Sequence, residues 1–133
     1  MQLVDALRTT LAAAITTDLG ATAFARFYTS GLTTLLASAA LSSPAFTPGA
    51  AGVEDLDITP PVEDTSPVAA GTCIRLGIYL NTGDASGLFR LMFGVATSGS
   101  PDVTMSNNVI ATTDTVQISS LSFTVPAGTP DDA

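Results

Sequence analysis

Chemistry, if this chain performs any, must come from a short inventory. Glu54, Asp55 and Asp57 stand close together in Val53-Glu54-Asp55-Leu56-Asp57-Ile58. Hard cations such as calcium take clustered carboxylates, but no loop here carries the D-x-D-x-D-G spacing of a dedicated calcium site. The reading is a peripheral strand whose charges block unwanted strand pairing, with no metal site. Cys73 is the one cysteine. It excludes an intramolecular disulfide and a multi-cysteine zinc site, and its place beside an apolar run marks it as a small buried hydrophobe. There is no His and no Lys, so no Ser or Thr can have the usual base. Gly83 and Gly87 lack the Gly-Lys-Ser/Thr end of a phosphate loop, and Asp84 between them reads as a turn former. A glycosidase would pair its two carboxylates with sugar-stacking aromatics, and the chain has six Phe, two Tyr and no Trp. The expectation is a non-enzymatic protein with no cofactor.

The charge balance narrows the partners. Four Arg face twelve acids, giving a net charge of −8, and charged residues make up only 12%. Phosphate backbones and anionic lipid surfaces need clustered cations, so neither nucleic acid nor membrane is expected. No apolar run approaches the roughly 18 residues of a membrane span. Met1–Ile15 carries Asp5 before Arg8 and an apolar run broken by Thr9 and Thr10, unlike a secretory leader. A surface so poor in charge fits a protein partly covered by partners.

The elements that would position these residues are mostly strands. Ile74, Leu76, Ile78 and Leu80 alternate with other residues, as do Phe89, Leu91, Phe93 and Val95 after a turn rich in Asn, Gly and Asp. Period-two alternation puts each set on one face, so Ile74–Val95 reads as a long hairpin at the centre of a β core. Pairing about residue 84 places Arg75 near Phe93 and Arg90 near Ile78, with both arginines pointing outward. Phe24–Tyr28, Thr34–Leu41, Val53–Ile58, Val103–Met105 and Val109–Thr112 read as further strands. Thr59–Gly71 holds Pro60, Pro61 and Pro67, too many for a central strand, so it reads as either an exposed connection or an extended segment crossing the sheet. In Thr115–Val125 the apolar parity slips at Ser119–Ser120, which predicts a bulge or bend that returns Val116, Ile118, Leu121, Phe123 and Val125 to one face.

Before the strands, Leu3, Leu7, Leu11 and Ile15 recur every four residues, the mark of an amphipathic helix, with Gly20 as its stop. Such a helix would run about 26 Å and be marginal alone. Its leucine stripe therefore docks, either on its own sheet, which is the first expectation, or on a neighbouring subunit. The fold expected is mainly β: one domain over 1–133, an antiparallel β-sandwich or flattened barrel of seven or eight short strands over 23–125. A helix over 1–20 precedes it and a mobile tail over 126–133 follows it. Candidate contact residues for partners are Leu3, Leu7, Leu11, Ile15, Arg75, Arg90 and Asp84.

The order of motifs resembles a family of small virion structural proteins of tailed bacteriophages. The Ala/Leu-rich helix precedes a strand ending in Phe27-Tyr28-Thr29-Ser30-Gly31. Leu35-Leu36-Ala37 to Leu41 and Pro44-Ala45-Phe46 follow, then Ala70-Gly71-Thr72, Gly94-Val95-Ala96-Thr97-Ser98-Gly99, and a strand running from Ser120 into Pro126-Ala127-Gly128. The acidic, Pro-rich segment Val53–Pro67 departs from that pattern. The resemblance implies a non-enzymatic β-sandwich of the particle, made in the host cytoplasm and placed on the virion. A capsid decoration (cement) protein bound to the major capsid protein, and homo-oligomeric, is the first expectation. A tail, collar or head–tail connection component is the second. From a different class, a carbohydrate- or cell-surface-binding module would use exposed aromatics such as Tyr28 or Tyr79.

Overall fold

The computed structural model describes residues 1–83, 86–96, 103–105 and 107–128. Helix α1 (Asp5–Leu19) precedes strands β1 (Phe24–Tyr28), β2 (Leu35–Ala40), β3 (Phe46–Pro48), β4 (Val53–Leu56), β5 (Glu63–Asp64) and β6 (Gly71–Thr72). These are followed by β7 (Arg75–Tyr79), β8 (Leu91–Ala96), β9 (Val103–Thr104), β10 (Val109–Ile110), β11 (Val116–Gln117) and β12 (Ser120–Thr124). Eight strands form one sheet in the order β2-β1-β7-β8-β9-β12-β4-β3, while β6 pairs with β10 and β5 with β11. Among the described residues every pairing is antiparallel except β8 with β9. The protein is mainly β with one N-terminal helix, in a sandwich-like arrangement.

One apolar cluster joins the two ends of the large sheet. It holds Phe27, Leu76, Ile78 and Phe93 from one half, and Phe46, Leu56 and Leu121 from the other. The expected hairpin is at its centre, with β7 between β1 and β8. The register runs one residue from the expectation: Arg75 lies opposite Gly94 and Leu76 opposite Phe93. The second arm is also shorter. A 3₁₀ turn covers Ser86–Leu88, the strand begins at Leu91, and Phe89 stands exposed outside it. The turn needs residues that the alternation alone cannot count.

Three further expectations change. The acidic segment is not peripheral: β4 lies between β3 and β12, and its inward parity buries Glu54 along with Leu56. The helix begins at Asp5, not Leu3, because the Leu3 amide donates to the Ala127 carbonyl at 2.7 Å and Gln2 bridges Gly128. The start of the expected mobile tail is thus tied to the N-terminus. Of the two forms expected for the Pro-rich stretch, the extended one is present, laid along the sheet edge at β2. Val62 is buried, its carbonyl accepts the Ile118 amide at 3.1 Å, and the Asp64 carboxylate accepts the amides of Ser38 and Ser66.

The parity slip at Ser119–Ser120 takes the form of a bend. The chain leaves the β5–β11 ladder after Gln117 and enters the large sheet at Ser120. Val116, Ile118 and Leu121 are buried, Phe123 and Val125 are half-buried, and both serines are exposed. Val116, Ile118 and Leu121 belong to the core and Phe123 packs against it, as the phase argument requires, whereas Val125 lies outside that cluster, beside α1.

Candidate interaction surface

Helix α1 buries a different side from the expected leucine stripe. Ala12 and Leu19 are buried and Thr16 is half-buried, whereas Leu7 is 44% exposed, Leu11 40% and Val4 70%. Close packing against backbone explains the choice. Gly52, at φ +79°, lies so near that a Cβ there would meet the Arg8 Cβ at 2.8 Å. The Gly52 amide donates to Thr9 Oγ1 at 3.3 Å, and Arg8 Nε donates to the Val125 carbonyl at 2.9 Å. A helix held this tightly by polar contacts presents Ala and Thr inward, and the leucine stripe turns outward.

Beside that stripe runs an apolar cleft of about 520 Å³, lined by Leu11, Ala14, Ile15, Leu91 and Val125. Asp18 and Arg90 also line it, joined by an ion pair at 3.3 Å with both side chains about half exposed. Next to Arg90, on the turn into β8, Leu88 is 62% exposed and Phe89 is exposed too. Apolar surface from the helix and apolar surface from this turn therefore meet at Arg90.

The structure brings Leu11, Ile15 and Arg90 to this cleft, with Leu7 one helical turn away. Arg75 is exposed at the far end of the hairpin: it pairs with Gly94, whereas the Arg90 amide donates to the Ile78 carbonyl at 2.7 Å. Leu3 is half-buried beside Ala127, and Asp84 lies outside the described residues. Tyr28 and Tyr79, the aromatics on which a sugar-binding reading relied, are buried.

Two buried charged residues escaped the sequence reading. Arg26 lies with its guanidinium 4.4 Å from the centre of the Tyr79 ring and donates to the Thr82 carbonyl at 2.6 Å, so it ties β1 to the hairpin turn. Burial, with the neighbouring Tyr28 hydroxyl, pushes the Tyr79 phenol well above its ordinary range, and the Arg26 cation opposes that shift. Glu54 is 1% exposed and its Oε2 has no hydrogen-bond partner. Burial, and secondarily the charge of Asp55, raise its carboxyl above the ordinary 4.5. Alternation sets Glu54 on the face of Leu56 and Ile58; what it does not show is that β4 is an inner strand, because strand order is not written in local periodicity. Cys73 is fully buried, as its neighbours predict, and burial pushes its thiol up to about 11.

Among the described residues no three of His, Cys, Asp and Glu cluster to hold a metal, and no helix is long and apolar enough to cross a membrane. A second cavity, of about 240 Å³, carries one acid, Asp114, whose Oδ2 accepts the Ala111 amide at 2.8 Å. No protein-family model, curated protein or solved structure matches this chain.

Proposed function

We propose that this chain is a non-enzymatic structural protein of a tailed-bacteriophage virion, a capsid decoration protein that binds the outer head surface and reinforces contacts between capsomers. The observation that carries a role in assembly is the open apolar face of α1 with its adjoining cleft. Burying one large apolar side chain is worth roughly 1.5–3 kcal/mol, so a face offering Val4, Leu7, Leu11 and Leu88 holds substantial unused binding energy. The choice of particle rests on the order of motifs from α1 through Pro126-Ala127-Gly128. Chemistry offers nothing stronger, since the buried acid and tyrosine are closed off from solvent.

Adding the purified protein to stripped, expanded heads tests the proposal. Saturable binding and a raised temperature of head rupture are expected. Co-purification with tails and no effect on heads would move the protein to the tail or collar.

A further inference from the structure

We propose that α1 is a pH-sensitive lid over β4, which seats while the Glu54 carboxyl is protonated and lifts as that carboxyl ionises. The device goes beyond the assembly role above and operates whatever the chain binds.

The ladder between β4 and β12 places Glu54 under the helix. Glu54 lies opposite Phe123. The Val125 amide donates to the Gly52 carbonyl at 3.0 Å, which carries the ladder one pair beyond Val53 and Thr124. Pairs two residues apart share a face, so Gly52 with Val125 and Glu54 with Phe123 point the same way. That way is toward α1. A Cβ at Gly52 would meet the Arg8 Cβ at 2.8 Å, and Val125 lines the cleft with Leu11, Ala14 and Ile15. The Phe123 ring meets Phe46 of β3 edge-on, centroids 4.9 Å apart. Glu54 is thus walled by β3, β12 and α1, 1% exposed, with Oε2 unpartnered. Thr16 Oγ1, on the inward side of α1, is likewise buried and unpartnered.

The charges around this space do not favour a carboxylate. Arg8 is the one cation of α1, and its Nε donates to the Val125 carbonyl and its Nη1 to the Asp5 carboxylate. Asp5 and Asp18 are the helix's other charges, and Asp18 pairs with Arg90. β3 and β12 carry no titratable side chain. Asp55 on β4 and Asp57 beyond its end are acids. A buried carboxylate without a counter-charge is disfavoured against its protonated form, and water is what relieves it. Ladders hold β3 and β12 to β4. The helix rests on Ala12, Leu19 and the polar contacts of Arg8 and Thr9, and a helix of this length is marginal alone. It is the wall that yields.

The sign follows from linkage. With the lid open, Glu54 meets water and its carboxyl returns toward the ordinary 4.5; with the lid seated, burial holds the proton more firmly. Below pH 4.5 this group leaves the lid unaffected. As pH rises toward the seated value, release of the proton favours the open lid.

Amide hydrogen exchange of α1 in the full chain, from pH 5 to 8 and corrected for intrinsic rates, tests the proposal. The opening constant of the Ala12–Leu19 amides should rise roughly fivefold or more across that range, at a lower free energy of opening than that of the β1 amides. Glu54→Gln should keep the constant near its pH 5 value, while Asp18→Asn should keep the parent's rise. Thr16→Cys supplies a readout independent of the Gln variant, since Cys73 is fully buried. Maleimide labelling of the introduced thiol should accelerate with pH beyond its own thiolate fraction. Helix amides that open only together with β1, or with a constant indifferent to pH, overturn the proposal. So does a rise that Glu54→Gln leaves in place or Asp18→Asn abolishes, and so does a thiol whose labelling tracks only its own ionisation.

Discussion

Strand β7 and helix α1 were both read from apolar spacing, and they met opposite fates. In β7 the parity expected to face out is buried as well: Gly77 and Tyr79 lie under Met92, Tyr28 and Arg26. In α1 the parity expected to face in is the exposed one. Spacing says which residues share a face. It does not say which face a neighbour will cover. For β7 the cover is Arg26, a cation whose aliphatic stem and flat guanidinium can seal an aromatic. For α1 the cover near Arg8 is the backbone of Gly52, which leaves no room for a large side chain there, so Leu7 and Leu11 stay outside while Leu19, farther along, is buried.

Substitutions should separate the two regions in order of size. Phe27→Ala, in β1 beside β7, removes a fully buried ring and should cost about 3–5 kcal/mol in urea unfolding. Arg26→Met should cost about 2–3 kcal/mol, since it strands the Thr82 carbonyl and uncovers Tyr79. An Arg26→Met protein as stable as the parent would break the claim that this cation seals β7.

Glu54→Gln should stabilise the protein by roughly 1 kcal/mol at pH 7, because it removes a buried negative charge that burial and Asp55 disfavour. Its pH dependence has a definite sign. The folded-state carboxyl titrates above its unfolded value of 4.5, so the folded state holds the proton more firmly. Glu54's contribution is therefore most favourable below pH 4.5 and falls as pH rises through the folded value. Glu54→Gln should flatten that part of the stability profile. The smallest effect belongs to α1: Leu7→Asp and Leu11→Gln should shift unfolding by no more than about 0.5 kcal/mol. A shift of 2 kcal/mol at either would place the leucines in the core after all.

The legible parts of the fold were those settled by neighbours in sequence. The bounds of β1, the hairpin of β7 and β8, the Gly20 stop, the burial of Cys73 and the bend at Ser119–Ser120 all follow from local alternation and turn chemistry. What stayed hidden depends on distant partners. β4 became an inner strand because β12 returns more than sixty residues later to pair with it. Arg26 lost its solvent because the hairpin turn folds over it. Leu11, Ile15 and Arg90 were each singled out separately, and only the packing of α1 beside β8 joins them at one cleft.

The single parallel pairing has a consequence for motion. The large sheet consists of two antiparallel halves joined through β9, which offers two residue pairs to β8 and two to β12. Among the described residues this seam is short, while β1 and β7 are paired along both edges. Native-state hydrogen exchange should then resolve two cooperative units. Amides of β1 and β7 would open only with the whole molecule, and the β9 seam would part first, letting the β3-β4-β12 half exchange as a separate block.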